Sequence, residues 1–124
     1  MDVWKYDNES LDILDQHPRN NPSKAYVVWC RENVEAGEQH KSKSYEQLQF
    51  ENVNFLNLTE RLLYSWKYFQ ETGKHLDIKN VTLTSSVRSS GGAFSVHCGS
   101  DELCINYVGL DGCNDGLRAR EAVS

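Results

Sequence analysis

Long apolar runs, prolines and an excess of basic charge are all scarce in this chain, and each scarcity closes a class of function. No apolar run approaches the ~20 positions that a bilayer-spanning helix needs, so no membrane segment is expected. The opening Met1-Asp2-Val3-Trp4-Lys5-Tyr6-Asp7 has no basic stretch leading into an apolar core. No secretory signal is expected there, and the expected compartment is the cytoplasm. Lys and Arg number 13 against 18 Asp and Glu, a net charge of −5 in 124 residues. Phosphate neutralisation by Lys and Arg supplies most of the affinity for a nucleic-acid backbone, so direct nucleic-acid binding is not expected. The two prolines, Pro18 and Pro22, both fall around a polar loop and leave the rest of the chain open to regular structure.

Paired-cysteine motifs are missing as well. Cys30, Cys98, Cys104 and Cys113 include no C-x-x-C pair. A chain of this length buries about two-thirds of its unfolded surface and folds without covalent staples. Four reduced thiols are therefore expected rather than two disulfides. His97, Cys98, Cys104 and Cys113 lack a tight metal knuckle, and strand alternation sends His97 and Cys98 to opposite faces. No metal and no cofactor are expected. Ser89-Ser90-Gly91-Gly92 precedes a strand pattern rather than a helix, so a hairpin turn accounts for it better than a phosphate cradle. Asp111-Gly112-Cys113-Asn114-Asp115-Gly116 has calcium-loop oxygens, but Ala122 stands where the loop needs its glutamate. Sequons at Asn8, Asn57 and Asn80 carry no meaning without secretion.

What is present reads as one α+β domain over residues 1–124. Apolar residues make up 39% and charged residues 25%, a globular composition. Residues 8–16 read as a short helix that His17-Pro18 ends. Ala25-Tyr26-Val27-Val28-Trp29-Cys30 is a continuous apolar run of strand length, expected to be buried on both faces. Ser44-Tyr45-Glu46-Gln47 fits a capping box. Phe55, Leu58, Leu62, Trp66 and Phe69 recur at helical spacing and predict an amphipathic helix over about 55–72, with Gly73 as its left-handed cap. A break near Asn52–Asn54 separates the two helical stretches. From residue 78 the period changes to two. A turn at Gly91-Gly92 would pair Val87 with Val96 and Ser85 with Cys98. A second turn at Ser100-Asp101 would pair Val96 with Ile105, Phe94 with Tyr107 and Cys98 with Leu103. The expected fold is an antiparallel sheet of about four strands with the 55–72 helix on its apolar face. Its meander, at 80–108, is joined by the 25–30 strand at an edge, or through a short strand near Val3–Tyr6. Residues 109–124 are rich in turn formers and are expected to be a fraying C-terminal tail.

The same register aligns Ser86, His97 and Cys104 in one cross-strand row, with Arg88 and Asn106 nearby. A thiol beside an imidazole is the minimum for an activated nucleophile. No oxyanion hole or third orienting group accompanies it, so a small enzyme using Cys104 and His97 is the alternative, not the expectation. The sheet face bearing Thr82, Thr84, Ser86, Arg88, Ser95, His97 and Asn106 is polar without a lattice of lysine and glutamate. Interface cores are depleted of charge in the same way. This face, with the acidic turn at Asp101 and Glu102, is the expected partner contact. Tyr64 and Tyr68 lie off the helix's apolar stripe and are the other candidates.

A small acidic α+β domain with exposed aromatics and no catalytic motif resembles, in type, the bacterial toxin-immunity proteins and phage-encoded inhibitors. The resemblance implies a protein-binding module that occludes the basic surface of another protein, a toxin or an effector nuclease. Glu32, Glu35, Glu38, Asp101, Glu102, Asp111 and Asp115 are the candidate acids, and charge would steer the encounter. A subunit of a larger assembly is a third class, marked by self-association or insolubility of the protein alone.

Overall fold

Alternating apolar and polar residues between Val81 and Val108 build the centre of the fold. The structure, a computed structural model, describes residues 2–5, 17–18, 29–30, 35–36, 40–88, 91–99 and 102–123. The expected helix at 8–16 and residues 25–28 of the expected strand lie outside these. The elements are β1 (Asp2–Lys5), β2 (Trp29–Cys30), α1 (Tyr45–Phe50), α2 (Leu58–Thr72), β3 (Val81–Val87), β4 (Ala93–Gly99), β5 (Glu102–Val108), β6 (Leu117–Ala119) and β7 (Ala122–Val123).

Five strands form one sheet in the order β1-β5-β4-β3-β6. The architecture is α+β, but the sheet is mixed rather than antiparallel. Tight turns force β3, β4 and β5 to alternate in direction. The flanking strands arrive through long connections and pair parallel, β1 with β5 and β6 with β3. The strand anticipated near Val3–Tyr6 is β1. The described end of the 25–30 run does not join the meander. Trp29 and Cys30 pair with Val123 and Ala122 in a separate two-stranded ladder, and Trp29 is exposed rather than buried. Nor does the C-terminal segment fray over 117–123. Val81 and Leu83 of β3 align with Leu117 and Ala119, and Leu117, Ala119, Arg120 and Ala122 are buried.

The β4–β5 register is the one the spacing predicts: Val96 opposes Ile105, Phe94 opposes Tyr107, and Cys98 opposes Leu103. The β3–β4 register is not. The Arg88 N–H donates to the Gly92 carbonyl at 2.9 Å and the Gly91 N–H to the Arg88 carbonyl at 3.1 Å. The turn therefore closes earlier than a Gly91-Gly92 turn would. Val87 opposes Ala93, and after an irregularity Leu83 opposes Ser95 and Thr82 opposes Val96. A slip by an odd number of positions exchanges the faces of a strand. Thr82 therefore shares a face with Val96, while Leu83 shares one with Ser95.

Both faces carry a core. On one, Leu58 and Leu62 of α2 pack against Phe94, Val96, Leu103 and Ile105. On the other, Leu48 of α1 and Phe55 pack against Leu83, Ala93, Leu117 and Ala119. Ser44 caps α1, accepting from the Gln47 N–H at 3.1 Å, but Gln47 turns its amide to Glu51 instead of completing the box. The complete capping box is at α2: the Asn57 side chain accepts from the Glu60 N–H, and the Glu60 carboxylate accepts from the Asn57 N–H, both at 2.8 Å. Gly73, at φ 72°, ends the helix as the sequence predicts.

Candidate functional site

Helix α2 starts at Leu58, not Phe55, and its faces differ from the expected stripe. From Leu58 to Trp66 is eight residues, which carries the side chain ~80° round the axis. Leu58 and Leu62 meet the sheet, Phe69 stacks half-buried on His75, and Trp66 is 60% exposed. Leu63, 61% exposed, is one turn from Trp66 on the same outer side. The position Trp66 was expected to fill in the core goes to polar residues: Arg61 is fully buried and Ser65 nearly so.

Asp77 explains that substitution. It is fully buried, has left-handed backbone at φ 53°, and its carboxylate gathers five donors. Oδ2 accepts from Arg61 Nη2 at 2.9 Å, from Arg61 Nε at 3.2 Å and from the Thr82 hydroxyl. Oδ1 accepts from Arg120 Nη2 at 2.8 Å and from the Ala36 N–H at 2.7 Å. Thr82 Oγ1 in turn accepts from Arg61 Nε at 3.0 Å and Arg120 Nε at 3.1 Å, and Arg61 Nη1 donates to Ser65. Charge-assisted bonds of this kind keep buried ions tolerable. Burial pushes the Arg61 pKa down, Asp77 opposes that, and the like charge of Arg120 adds to it. Burial also pushes the Cys30 thiol up, while Arg120 lowers it and Glu60 raises it. Arg120 lies 5.4 Å from the Tyr64 ring, which meets Tyr68 edge-on.

The proposed polar sheet face is not a single surface. Thr82, Thr84 and Ser86 lie inward, beside the α2 core. The Thr84 hydroxyl donates to the Phe94 carbonyl at 2.9 Å, and Ser86 Oγ accepts from the Leu58 N–H at 3.0 Å. Ser95 is buried on the opposite side, and His97 and Asn106 there are half-buried. Arg88 packs over the Tyr107 ring at 3.6 Å. His97 does oppose Cys104 across β4–β5, and both are half-exposed. Ser86 is engaged at the α2 N-terminus and does not join their row. Tyr64 and Tyr68 are half-buried rather than exposed. Glu102 is half-buried, Asp111 and Asp115 are exposed, and Asp101, Glu32 and Glu38 lie outside the described residues. Asp115 accepts from the Ser42 hydroxyl.

None of Cys30, Cys98, Cys104 and Cys113 is joined in a disulfide. Among the described residues, no three His, Cys, Asp or Glu side chains converge to hold a metal ion, and no helix is long and apolar enough to cross a membrane. Two sequon asparagines have structural tasks: Asn57 is the buried α2 cap, and Asn80 donates its side-chain amide to Glu35 at 3.2 Å. Comparison with family models, with curated proteins and with solved structures gives no match.

The arrangement therefore offers two distinct surfaces with chemistry to spare. One is the outer side of α2, where Leu63 and Trp66 are exposed while Arg61 and Ser65 on its inner side join the buried ion cluster. The other is the His97–Cys104 pair. Sequence reasoning missed the first because Trp66 was absorbed into a core stripe. The helical angle between Leu58 and Trp66 was the available signal.

Proposed function

We propose that this protein is a protein-binding module whose contact surface is the outer face of α2, centred on Trp66 and Leu63. The supporting observation is the exposure of these two large apolar side chains, 60% and 61%, one turn apart. Tryptophan is among the residues that carry most of the energy in interfaces. Arg61 and Ser65 on the buried side are fixed by hydrogen bonds to Asp77 and to each other, so the helix meets a partner already ordered. With a net charge of −5, the favoured partner is a basic protein, and occlusion of a toxin or effector nuclease is the mechanism.

Titration calorimetry and stopped-flow association against basic nuclease toxins and host effectors test this reading. Binding is expected to weaken at least tenfold in Trp66→Ala, about 1.4 kcal/mol, with the fold intact by circular dichroism. The association rate should fall with rising salt while dissociation holds steady. Unchanged affinity in the folded Trp66→Ala variant would overturn the surface; no binding to any basic protein would overturn the function.

The His97–Cys104 register supports a second reading, a thiol site. It requires Cys104 to alkylate faster than the exposed Cys113 at neutral pH, and to lose that advantage in His97→Ala.

A further inference from the structure

The turn after Asp77 holds a row of backbone N–H groups aimed at one point. The Ile78 N–H donates to Glu35 Oε2 at 3.1 Å. The Lys79 and Asn80 N–H groups donate to Glu35 Oε1 at 3.0 Å and 2.8 Å, and Asn80 Nδ2 donates to the same oxygen at 3.2 Å. Successive N–H groups beside a left-handed residue form an anion-binding concavity, and Asp77 supplies the left-handed residue. Two oxygens share the donors, which suits a carboxylate better than a monatomic anion. The occupant comes from a segment more than forty positions earlier in the chain. The turn faces outward, for Ile78 and Lys79 are exposed.

We propose that the 78–80 turn is a carboxylate-binding site that Glu35 fills as a built-in occupant, and that an external carboxylate takes the site when Glu35 withdraws. The external group would be an acidic side chain or a chain terminus, and this site is independent of the α2 surface. The exchange leaves the N–H groups of Ile78, Lys79 and Asn80 satisfied whichever carboxylate is bound. It is also felt inside the protein. The adjoining Ala36 donates its N–H to Asp77 Oδ1 at 2.7 Å and accepts from Arg118 Nη1 at 3.3 Å. Moving residues 35 and 36 together would remove one of the donors that hold Asp77 between its arginines.

Chemical rescue of Glu35→Ala tests the proposal. Its urea midpoint should fall below wild type and rise again in sodium acetate, but not in sodium chloride of the same ionic strength. The amide NMR signals of Ile78, Lys79 and Asn80 should shift saturably with acetate in Glu35→Ala. They should not shift in wild type, whose own carboxylate competes at high effective concentration. Glu35→Gln keeps an oxygen in the turn and should blunt the response. If Glu35→Ala does not fold in chloride, it should fold in acetate. Equal effects of acetate and chloride, signals that move with phosphate but not acetate, or failure to fold in either salt would each overturn the assignment.

Discussion

Asp77 is held by residues from four other places in the chain: Ala36, Arg61, Thr82 and Arg120. Its charge is the one the two guanidiniums share, and its left-handed backbone is tolerable because a short polar side chain reaches αL at small cost. Asp77→Asn preserves the shape and removes the charge. Two arginines would then face each other, buried with a neutral amide between them. Breaking a buried pair in this way costs about 3–5 kcal/mol, so urea unfolding should show a loss of that size. Arg61→Met should cost less, because Arg120 still pairs with Asp77 and a long apolar side chain fills the volume. A smaller loss for Asp77→Asn than for Arg61→Met would show that the aspartate's charge is not what organises the cluster. The thiol at Cys30 has its own signature. Its pKa is raised in the folded state, so its contribution to stability is whole below the unfolded thiol's pKa and is lost as pH rises through the folded one. Cys30→Ala should flatten the alkaline end of the stability profile above about pH 9.

Helix α2 and the β4–β5 hairpin mark the boundary between what local spacing reveals and what it hides. The β4–β5 register, the Gly73 cap and the Ser44 cap were legible because each is fixed within a few residues. The β3–β4 register was not, because the turn closes at Arg88–Gly92 and an irregularity between Leu83 and Val87 shifts the pairing again. That odd slip puts the threonines on the α2 side of the sheet, and they are inside because each side carries a core; Ser95, on the other side, is buried too. Arg61 was illegible for a different reason. An arginine on an amphipathic helix reads as surface unless its acid is known to return beneath it, and Asp77 lies in a loop beyond the helix. The capping box of α2 is readable in Asn57-Leu58-Thr59-Glu60, but the apolar spacing that begins at Phe55 points to an earlier helix start. Asn57→Ala should cost about 1 kcal/mol by thermal or urea unfolding, within the 0.5–2 kcal/mol usual for a lost cap. Gly92→Ala should also be poorly tolerated, since its Cβ would stand 2.9 Å from the Val108 carbonyl oxygen and φ is 89°.

At the scale of the molecule, the sheet carries a core on each face, and β1 and β6 border it with parallel pairings between distant parts of the chain. The mixed sheet was not legible because alternation along a strand reports burial, not the direction of its neighbour. The ion cluster spans the same distances. Its contacts to Asp77 have sequence separations of 5 from Thr82 and 16 from Arg61, but 41 from Ala36 and 43 from Arg120. The cost of closing a loop grows with its length, so the cluster should assemble in two stages. Arg61, Asp77 and Thr82 form a local clasp early, and Arg120 locks it after the barrier is crossed. In stopped-flow chevrons, Thr82→Ala should therefore slow folding, whereas Arg120→Met should mainly hasten unfolding. Equal slowing of folding by both would mean that the clasp closes in one step. Under the two-stage order, the lifetime of the native state is governed by an arginine that has no part in starting the fold.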